Sequence, residues 1–379
     1  MDFDFGADDF RTEVRAWLAA HVPSAVDRRS WERTLGAAGW IGIGWGEDGY
    51  GNRPESLPRQ VVWAEEYARC GAPARSGHIG ENLLAPTLLA HGTPGQKARF
   101  LPPIAAGEEL WCQGYSEPGA GSDLAGIRTR AEPHAGGFRI TGQKIWTSLA
   151  HDADWCFVLA RSDPESARHK GLTFLLVPMD QPGRIEVRPI RQMTGTSEFN
   201  EVFFDGASAA GEHVVGAVGD GWRVAMSLLG FERGVSTLAQ QIGFAEELAR
   251  ILRTAAETGA DADPVVRERL VRAWAELRVM RWNALRTLGG AQEAGATSVA
   301  KLLWGGWHQR LGELGMLVRG AGAAVGPGAW TPEAPYGLDE GQREFLFSRA
   351  DTIYGGSDEV QRTVIAERVL GLPKRGAVR

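Results

Sequence analysis

Apolar residues recur at helical spacing through the first hundred residues of the chain. Phe10, Val14 and Leu18 are four positions apart, which places them on one face of a helix. Segments that contain glycine and proline, such as GEDGYGNRPE and HGTPGQ, separate this helix from later ones. The pattern predicts a helical region that extends to about Glu109.

Near Trp111 the period of the pattern changes. Several short segments are rich in β-branched or aromatic residues and are bounded by glycine, proline or aspartate. Such segments predict antiparallel strands in a small β-barrel or sandwich. They read FRITGQKIW, DWCFVLAR, GLTFLLVPM, RIEVRPI and NEVFFD.

The helical period returns at about Gly219. Leu238, Ile242 and Leu248 mark one long amphipathic helix, and further helices are predicted over 265–287, 300–317 and 358–370. Strands in the middle and helices at both ends predict an α+β multidomain chain, not a doubly wound sheet. The predicted domains are helical over 1–110, β over 111–215 and helical over 216–379.

Composition and charge narrow the classes of function. The 379 residues are 43% hydrophobic and carry a net charge of −6, which argues against nucleic acid or an anionic membrane as a partner. The acidic start MDFDFGADDF resembles no targeting peptide, and no apolar run is long enough to span a membrane. Cys70, Cys112 and Cys156 form no CxxC pair and no metal-binding pattern with the histidines, so we expect a reducing, cytoplasmic location without a metal site.

A glycine-rich loop, YSEPGAGSDLAGI, spans residues 115–127. Its proline and glycines exclude regular structure, and its serines and aspartate offer hydrogen-bonding groups beside an exposed backbone. Such a loop can wrap a phosphate or a planar ring with its N–H groups. It can equally be a solvated turn, and it lacks the GxGxxG spacing of a Rossmann fold.

The segment KIWTSLA follows at 144–150. Trp146 at a strand end could stack on a flat ligand, while Thr147 and Ser148 could bind the edge of that ligand. The alternative is a tryptophan packed in the core.

Two helix starts also carry candidate residues. In LGFERGVS (229–236), Glu232 and Arg233 lie beside each other at an otherwise apolar position, where a buried carboxylate could be a tuned base or simply a solvated residue. In IYGGSDEVQR (353–362), Ser357 fits a helix N-cap, and Val360, Val364, Ile365 and Val369 would form the buried face. Gly355 and Gly356 suit either a backbone turn with positive φ or a close approach by a ligand.

Taken in order, these segments resemble the acyl-CoA dehydrogenase family. The resemblance covers essentially the whole chain and rests on YSEPGAGSD, ITGQKIWTS, EFNEVFFD, FERG, IYGGSDEVQR and AERVLGLP. It implies an N-terminal helical domain, a middle β domain and a C-terminal four-helix bundle. It also implies bound FAD and a tetramer built as a dimer of dimers.

The resemblance assigns roles to individual positions. Cofactor contacts are implied for Gln113, Tyr115, Ser116, Gly121, Ser122, Trp146, Thr147, Ser148, Ser357 and Glu359. Ser116 would lie near the reactive edge of the flavin, and Ser357 and Glu359 would hold the adenosine half. Substrate contacts are implied for Ser122, Phe231, Arg233, Tyr354, Gly355 and Gly356.

The reaction implied by the resemblance is α,β-desaturation of an acyl thioester to a trans-2-enoyl thioester. A carboxylate removes the α-proton while the β-hydrogen leaves as hydride to flavin N5. Many members carry the base within Y-E-G, where this chain has Tyr354-Gly355-Gly356. A smaller branch, which includes isovaleryl-CoA and long-chain enzymes, places the base at the start of the long helix, and Glu232 matches that position.

Two loops depart from the family pattern. TGADADPVVRER (258–269) replaces the usual R-x-F-G loop, and RGAGAAVGPGAW (319–330) replaces a glycine-rich Q-x-x-G-G loop. Arg267, Arg269 and Arg319 are the candidates for the lost contacts to the FAD pyrophosphate, with no choice made among them.

The primary hypothesis is an acyl-CoA dehydrogenase that passes electrons to an electron-transferring flavoprotein. One alternative is a flavin monooxygenase on the same fold, against which Glu232 argues. Another is a catalytically silent subunit that supports an active partner in a heterotetramer.

Overall fold

The computed structural model describes residues 7–24, 27–46, 50–166, 168–231, 236–288, 295–326 and 337–373. Two compact units make up the chain. The first consists of residues 1–191 and 197–236, and the second of residues 192–196 and 237–379.

Helices form the N-terminal part of the first unit. They are α1 (Asp8–His21), α2 (Arg28–Ala37), α3 (Leu57–Arg69), α4 (Ala85–His91) and α5 (Pro94–Ala105), with a π-helical turn at Gly80–Leu84. The predicted face of α1 is confirmed, because Phe10, Val14 and Leu18 are all buried. They pack in a cluster in which the rings of Trp40 and Trp63 stack at 4.4 Å.

The described residues that follow form an eight-stranded sheet. Its strands are β1 (Trp111–Gly114), β2 (Arg130–His134), β3 (Gly137–Ser148), β4 (Trp155–Arg161), β5 (Leu172–Pro178), β6 (Ile185–Ile190), β7 (Phe199–Ala210) and β8 (Val214–Val215). The strand order is β6-β7-β3-β2-β4-β5-β8, and β1 pairs with β4. Every segment predicted as a strand is therefore a strand. The expectation of a purely antiparallel sheet is wrong at β1 and β2, because both run parallel to β4.

The sheet is buried on both faces at its centre, which explains the unbroken apolar runs of β4 and β5. Phe157 and Leu159 of β4 pack in one cluster with residues of α4, α5 and the following helix α6 (Gly221–Phe231). Cys156 and Val158 belong to a second cluster, which β3 and β7 complete. Alternate residues of β4 thus pack into two separate hydrophobic cores.

The second unit is helical. Its elements are α7 (Ser236–Thr258), α8 (Pro264–Leu288), α9 (Ala296–Arg319), α10 (Glu340–Phe347) and α11 (Asp358–Val364), which continues as a π-helical turn at Ile365–Val369. Phe244, Leu248, Leu270, Trp307 and Leu311 lie in its core. The helical first and last parts and the middle sheet confirm the predicted α+β class.

The predicted buried face of α11 is wrong in part. Val369 is exposed, and Val360, Val364 and Ile365 are only half-buried. The buried residue of this helix is Gln361, because its side-chain amide donates to the carbonyls of the preceding glycine pair. Gln361, which caps the backbone of the glycine pair, is thus buried where the apolar pattern predicted aliphatic side chains.

Candidate active site

An ion pair beneath the glycine-rich loop holds the loop to the sheet. Lys144 of β3 is fully buried, and its ammonium donates to Glu117 Oε1 at 2.9 Å and to the carbonyls of Tyr115 at 2.9 Å and Leu159 at 2.8 Å. Three acceptors match the three N–H donors of a charged lysine. Burial alone would raise the pKa of Glu117, but Lys144 and the surrounding hydrogen bonds hold it below its ordinary value.

The same carboxylate fixes the far end of the loop. Glu117 accepts hydrogen bonds from the backbone N–H of Arg128 at 2.6 Å and of Thr129 at 2.9 Å. Its own backbone exchanges two hydrogen bonds with Ala120, each of 3.0 Å, which closes a tight turn over 117–120. Both ends of the loop are therefore fixed by buried groups while its centre stays at the surface.

The centre of the loop is open to a ligand. Gly121 and Ser122 are exposed, and Ser116 and Gln113 are half-buried. A β-carbon added at Gly121 would meet no atom within 4 Å. The glycines thus leave the backbone uncovered, and this is the geometry in which N–H groups can bind an anion or a ring edge.

Trp146 lies next to this loop in an unusual backbone conformation. The N–H of Ile145 donates to the carbonyl of Ser116 at 2.9 Å, so Ser116 and Trp146 are brought to the same place on the sheet. The β3–β7 register shifts between Lys144 and Thr147, and Trp146 has φ of +60°. Its side chain is 57% exposed. A tryptophan held in the left-handed region and turned outward is the kind of backbone strain that clusters at functional sites.

The two hydroxyl residues after Trp146 differ in placement. Thr147 is fully buried, and its Oγ1 has no hydrogen-bond partner in the described part of the chain, while its carbonyl accepts from Asn200 Nδ2 at 3.0 Å. Ser148 is half-buried. Of these two residues, Ser148 is therefore the more accessible to solvent.

In the second unit, the Tyr354-Gly355-Gly356 segment forms a turn before α11. Gly355 has φ of +64° and Gly356 has φ of +85°, so both occupy the left-handed region that favours glycine. The side-chain amide of Gln361 lies 3.3 Å from each of their carbonyl oxygens. The Tyr354 hydroxyl donates to Asp351 Oδ1 at 2.7 Å. The sequence suggested two reasons for the glycine pair, a turn with positive φ or a close approach by a ligand. The backbone angles confirm the turn with positive φ.

The residues after the turn begin a helix as predicted. Ser357 is the N-cap of α11, and its hydroxyl accepts from the N–H of Val360 at 3.4 Å. Glu359 is exposed in the first turn, where its own backbone N–H and the Ser357 side chain lower its pKa. The Ser357 hydroxyl and the Glu359 carboxylate thus both lie at the N-terminus of α11.

The predicted base and its neighbour lie outside the described residues. Glu232 and Arg233 fall between Phe231, the half-buried last residue of α6, and Ser236, the first residue of α7. The expectation that FERG opens the long helix therefore stays a prediction. The loop with Trp146 belongs to the first compact unit, and the 354–359 segment belongs to the second.

The arginines considered for the pyrophosphate have different surroundings. Arg319 makes two hydrogen bonds to Asp339, of 2.9 Å and 2.6 Å, at the N-cap of α10. Arg267 and Arg269 are exposed on α8, and Arg267 donates to the carbonyl of Asp261. An ion pair within the chain thus already engages Arg319.

Several polar residues near the glycine turn were not identified from the sequence. Asp351 is almost fully buried, and it contacts both Tyr354 and His308 of α9. The available signal was the spacing of Lys301, Gly305 and His308, which puts them on one face of a predicted helix.

Models of three domains of one protein family match nearly the entire chain. They are the N-terminal domain of acyl-CoA dehydrogenase over residues 6–108, its middle domain over 112–207 and its C-terminal domain over 219–370. The helix–sheet–helix order and the loop beside Trp146 define the class of fold. The chain belongs to the acyl-CoA dehydrogenase family, whose members are in general FAD-dependent oxidoreductases.

Relatives of known identity agree. Acyl-CoA dehydrogenase IpdE1 of Mycobacterium tuberculosis is 53% identical, over 97% of this chain and 98% of the relative. IpdE1 of Mycolicibacterium smegmatis is 51% identical with the same coverage. Among solved structures, the Tcur3481-Tcur3483 steroid ACAD superposes with a TM-score of 0.85 at 29% identity, over 99% of this chain and 100% of that chain. The activity of the chain is thus acyl-CoA dehydrogenation in general terms, and the resemblance stated from the sequence is confirmed.

The local chemistry fits a flavin. The exposed indole of Trp146 and the half-buried Ser148 are close in sequence on β3, and a backbone hydrogen bond from Ile145 to Ser116 joins this part of the strand to the loop that contains the exposed Gly121. This is the donor set that a flat, polar-edged ring requires. Among the described helices, none is both long and apolar enough to cross a membrane.

Proposed function

We propose that this chain binds FAD at the loop beside Trp146 and catalyses α,β-dehydrogenation of an acyl-CoA, with Glu232 as the base. The observation that carries the proposal is Trp146 itself. Its indole is exposed, its backbone is left-handed, and it adjoins a loop anchored by the buried Lys144–Glu117 pair. A tryptophan with a purely structural role would pack in the core. An exposed tryptophan with a strained backbone is better explained by contact with a ligand.

The chain's own residues then have defined tasks. When bound, FAD supplies the acceptor for the β-hydrogen and the electron pair. Segment 113–122 binds the ring system through its backbone, Trp146 covers it, and Ser148 hydrogen-bonds its edge. Ser357 and Glu359 hold the adenosine half.

Glu232 removes the α-proton, and its ordinary basicity in water would be too low for that task. Exclusion of water around a carboxylate raises its pKa and strengthens the base. Donors at the thioester oxygen stabilise the developing enolate, and we assign the backbone N–H of Gly355 as one of them. Ser122, Phe231, Arg233, Tyr354 and Gly356 would contact the rest of the acyl-CoA.

We further propose a bulky acyl group. Two features support it: Gly355 carries no side chain where many relatives have a glutamate, and a structural relative is described as a steroid ACAD. An acyl chain attached to a fused ring system, or branched near its α- and β-carbons, would use the space that this side chain occupies elsewhere.

We propose a second dehydrogenase chain as the assembly partner and an electron-transferring flavoprotein as the electron acceptor. The ChsE4–ChsE5 complex of Mycobacterium tuberculosis, with a TM-score of 0.82 at 28% identity, consists of two named chains, as does the steroid ACAD. A silent supporting subunit remains the competing role. Such a subunit, purified alone, would lack stoichiometric FAD.

Anaerobic titration of the purified protein, together with any chain that copurifies, tests the proposal. The panel contains octanoyl-CoA, isobutyryl-CoA, isovaleryl-CoA and the CoA thioester of a steroid carboxylic acid. We expect bound FAD and bleaching of the flavin absorbance, strongest with the steroid thioester. A protein that stays colourless after incubation with FAD, or a flavin that no thioester reduces, would contradict the proposal.

A further inference from the structure

One face of α9 holds the segment that contains the glycine turn. Lys301, Gly305 and His308 lie at positions i, i+4 and i+7 of this helix, and all face the segment from Asp351 onward. A β-carbon added at Gly305 would lie 3.0 Å from the carbonyl oxygen of Asp351. The glycine therefore permits the close approach, and the two cationic residues flank it.

His308 lies between two carboxylates. Its Nδ1 is 2.5 Å from Asp351 Oδ2, and its Nε2 is 2.7 Å from Glu247 Oε2 on α7. His308 is buried, and its imidazole packs with its centre 4.4 Å from that of the Phe244 ring. A carboxylate can only accept, so both ring nitrogens must donate, and the geometry requires the doubly protonated, charged imidazole.

The charge state agrees with this geometry. Burial would lower the pKa of His308, but its hydrogen bonds to Asp351 and Glu247 raise it to about 9. His308 is therefore a cation at neutral pH, and it becomes neutral only in alkaline solution.

Asp351 connects this cation to the turn. One carboxylate oxygen accepts from His308 and the other accepts from the Tyr354 hydroxyl at 2.7 Å. The Asp351 carbonyl accepts from the ammonium of Lys301, and the next carbonyl, of Thr352, accepts from the N–H of Asp358 at 3.0 Å. The chain from Asp351 to Asp358 is thus fixed at both ends, with Gly355 and Gly356 between them.

We propose that His308 is a positioning residue for the acyl thioester. Acting through Asp351 and Tyr354, it holds the Gly355–Gly356 backbone in the left-handed conformation that presents its N–H group to the thioester oxygen. The inference rests on the proposed function, in which this turn contacts the acyl-CoA. It adds a residue that touches neither substrate nor cofactor and acts on substrate affinity.

Other charged groups surround this network. Glu344 of α10 has its pKa raised to about 7 by burial and by the neighbouring Glu247. Arg250 of α7 pairs with Glu344 and, at 3.5 Å, with Glu340. Lys301 lies 4.0 Å from the ring of Trp304 and 4.9 Å from that of Tyr354. The response that belongs to His308 is therefore sought between about pH 8 and 10, above the titration of Glu344.

The test compares His308→Gln with a matched control, Arg310→Gln. Arg310 also forms an ion pair from α9, with Glu276 of α8 at 2.8 Å, but it is exposed and lies about 200° around the helix axis from His308. Kinetics with the fastest acyl-CoA of the panel would be recorded from pH 6 to 10. Bound FAD and the melting temperature would be measured on the same samples.

For wild type we expect KM to rise above about pH 9 while kcat changes little. For His308→Gln we expect full FAD content and a KM raised about tenfold at pH 7, since tenfold corresponds to the loss of one modest interaction. Its KM should not rise further at pH 9. Arg310→Gln should keep the KM and the alkaline rise of wild type.

A second variant covers the case in which His308→Gln does not fold. Gly305→Ala keeps His308 but pushes on the Asp351 carbonyl, and it should likewise raise KM more than it lowers kcat. The proposal is overturned if folded His308→Gln retains the wild-type KM and alkaline rise, or if it loses FAD and kcat together, as a merely structural residue would. If instead no thioester reduces wild type, the proposed function fails, and that result is distinct because it precedes any variant.

Discussion

The ammonium of Lys144 and the carboxylate of Glu117 form a buried ion pair directly under the loop proposed to bind FAD. Lys144 comes from the middle of β3, and Glu117 comes from the loop itself. Lys144 donates to the carbonyl of Tyr115 at the start of the loop and to that of Leu159 on β4, and Glu117 accepts from the N–H of Thr129 just beyond the end of the loop. The shape of the loop is therefore set before any ligand binds.

Loss of the lysine should be costly. In Lys144→Met, Glu117 stays buried without its cation, and removal of one partner of such a pair typically costs about 3–5 kcal/mol of unfolding free energy. Urea denaturation measures this. The double variant Lys144→Met with Glu117→Leu should lose less, because no buried charge remains, and Arg188→Met, which breaks an exposed pair, should change little. Equal losses in single and double variants would refute the ion-pair account.

The same pair predicts a dependence on acid. The folded pKa of Glu117 is held below its ordinary value, so its stabilising contribution is present above about pH 4.5. The contribution is lost as pH falls through the lower folded pKa. The difference in unfolding free energy between wild type and Glu117→Gln should thus shrink below pH 4.5. A difference that stays constant from pH 7 to 3 would contradict the prediction.

Trp146 offers a test of strain against ligand binding. The left-handed conformation costs a non-glycine residue about 1 kcal/mol or more, so Trp146→Gly should be more stable than Trp146→Ala without FAD. Both variants should bind FAD more weakly than wild type, because both lack the indole. Thermal melts and FAD titration by flavin fluorescence separate the two effects. Unchanged FAD affinity in both variants would show that the indole of Trp146 does not contribute to FAD binding.

The sequence predicted the helices and strands better than it predicted the strand pairing and the buried polar contacts that hold them together. For β3 to β7 the sequence signal was sufficient, because each strand is rich in β-branched or aromatic residues and is bounded by turn residues. The parallel pairing of β1 with β4 has no local signal, since WCQG is only four residues long. No local pattern indicates that Lys144 is buried, and only the fold places three acceptors around its ammonium.

The glycine pair shows a similar limit. Composition allowed a positive-φ turn or a ligand contact, and the backbone angles establish the first within the chain itself. The contact from His308 to Asp351 spans 43 positions and could not be predicted from either segment alone. Long-range polar contacts of this kind depend on tertiary packing, which no local period encodes.

Removal of the proposed base should stop the reaction without disturbing binding. Glu232→Gln keeps the size of the side chain, so FAD content and acyl-CoA affinity should stay near those of wild type. Flavin reduction, followed by stopped-flow absorbance, should slow at least ~10²–10⁴-fold. Glu313→Gln, which alters an exposed glutamate of α9, serves as the control. Reduction of Glu232→Gln at the wild-type rate would assign the base elsewhere.

Substitution of the two turn glycines should separate backbone strain from substrate fit. Both have positive φ, so an alanine at either position is strained by about 1–2 kcal/mol. The surroundings differ. A β-carbon at Gly355 would make an ordinary contact at 3.6 Å with Lys301 Cε, whereas at Gly356 it would lie 2.4 Å from Gln361 Nε2. Melting temperatures should therefore fall further for Gly356→Ala than for Gly355→Ala.

The milder variant then tests the proposed pocket. Gly355→Asn is the matched control for strain, because asparagine tolerates the left-handed region better than alanine does. If the missing side chain admits branched or ring-bearing acyl groups, both Gly355 variants should lose kcat/KM for isobutyryl-CoA and the steroid thioester more than for octanoyl-CoA. The larger asparagine should show the larger change, and the preference should be graded, on the order of 1–3 kcal/mol per methylene-sized group. An unchanged ratio of branched to straight-chain kcat/KM in two stably folded variants would show that the space at Gly355 does not select the substrate.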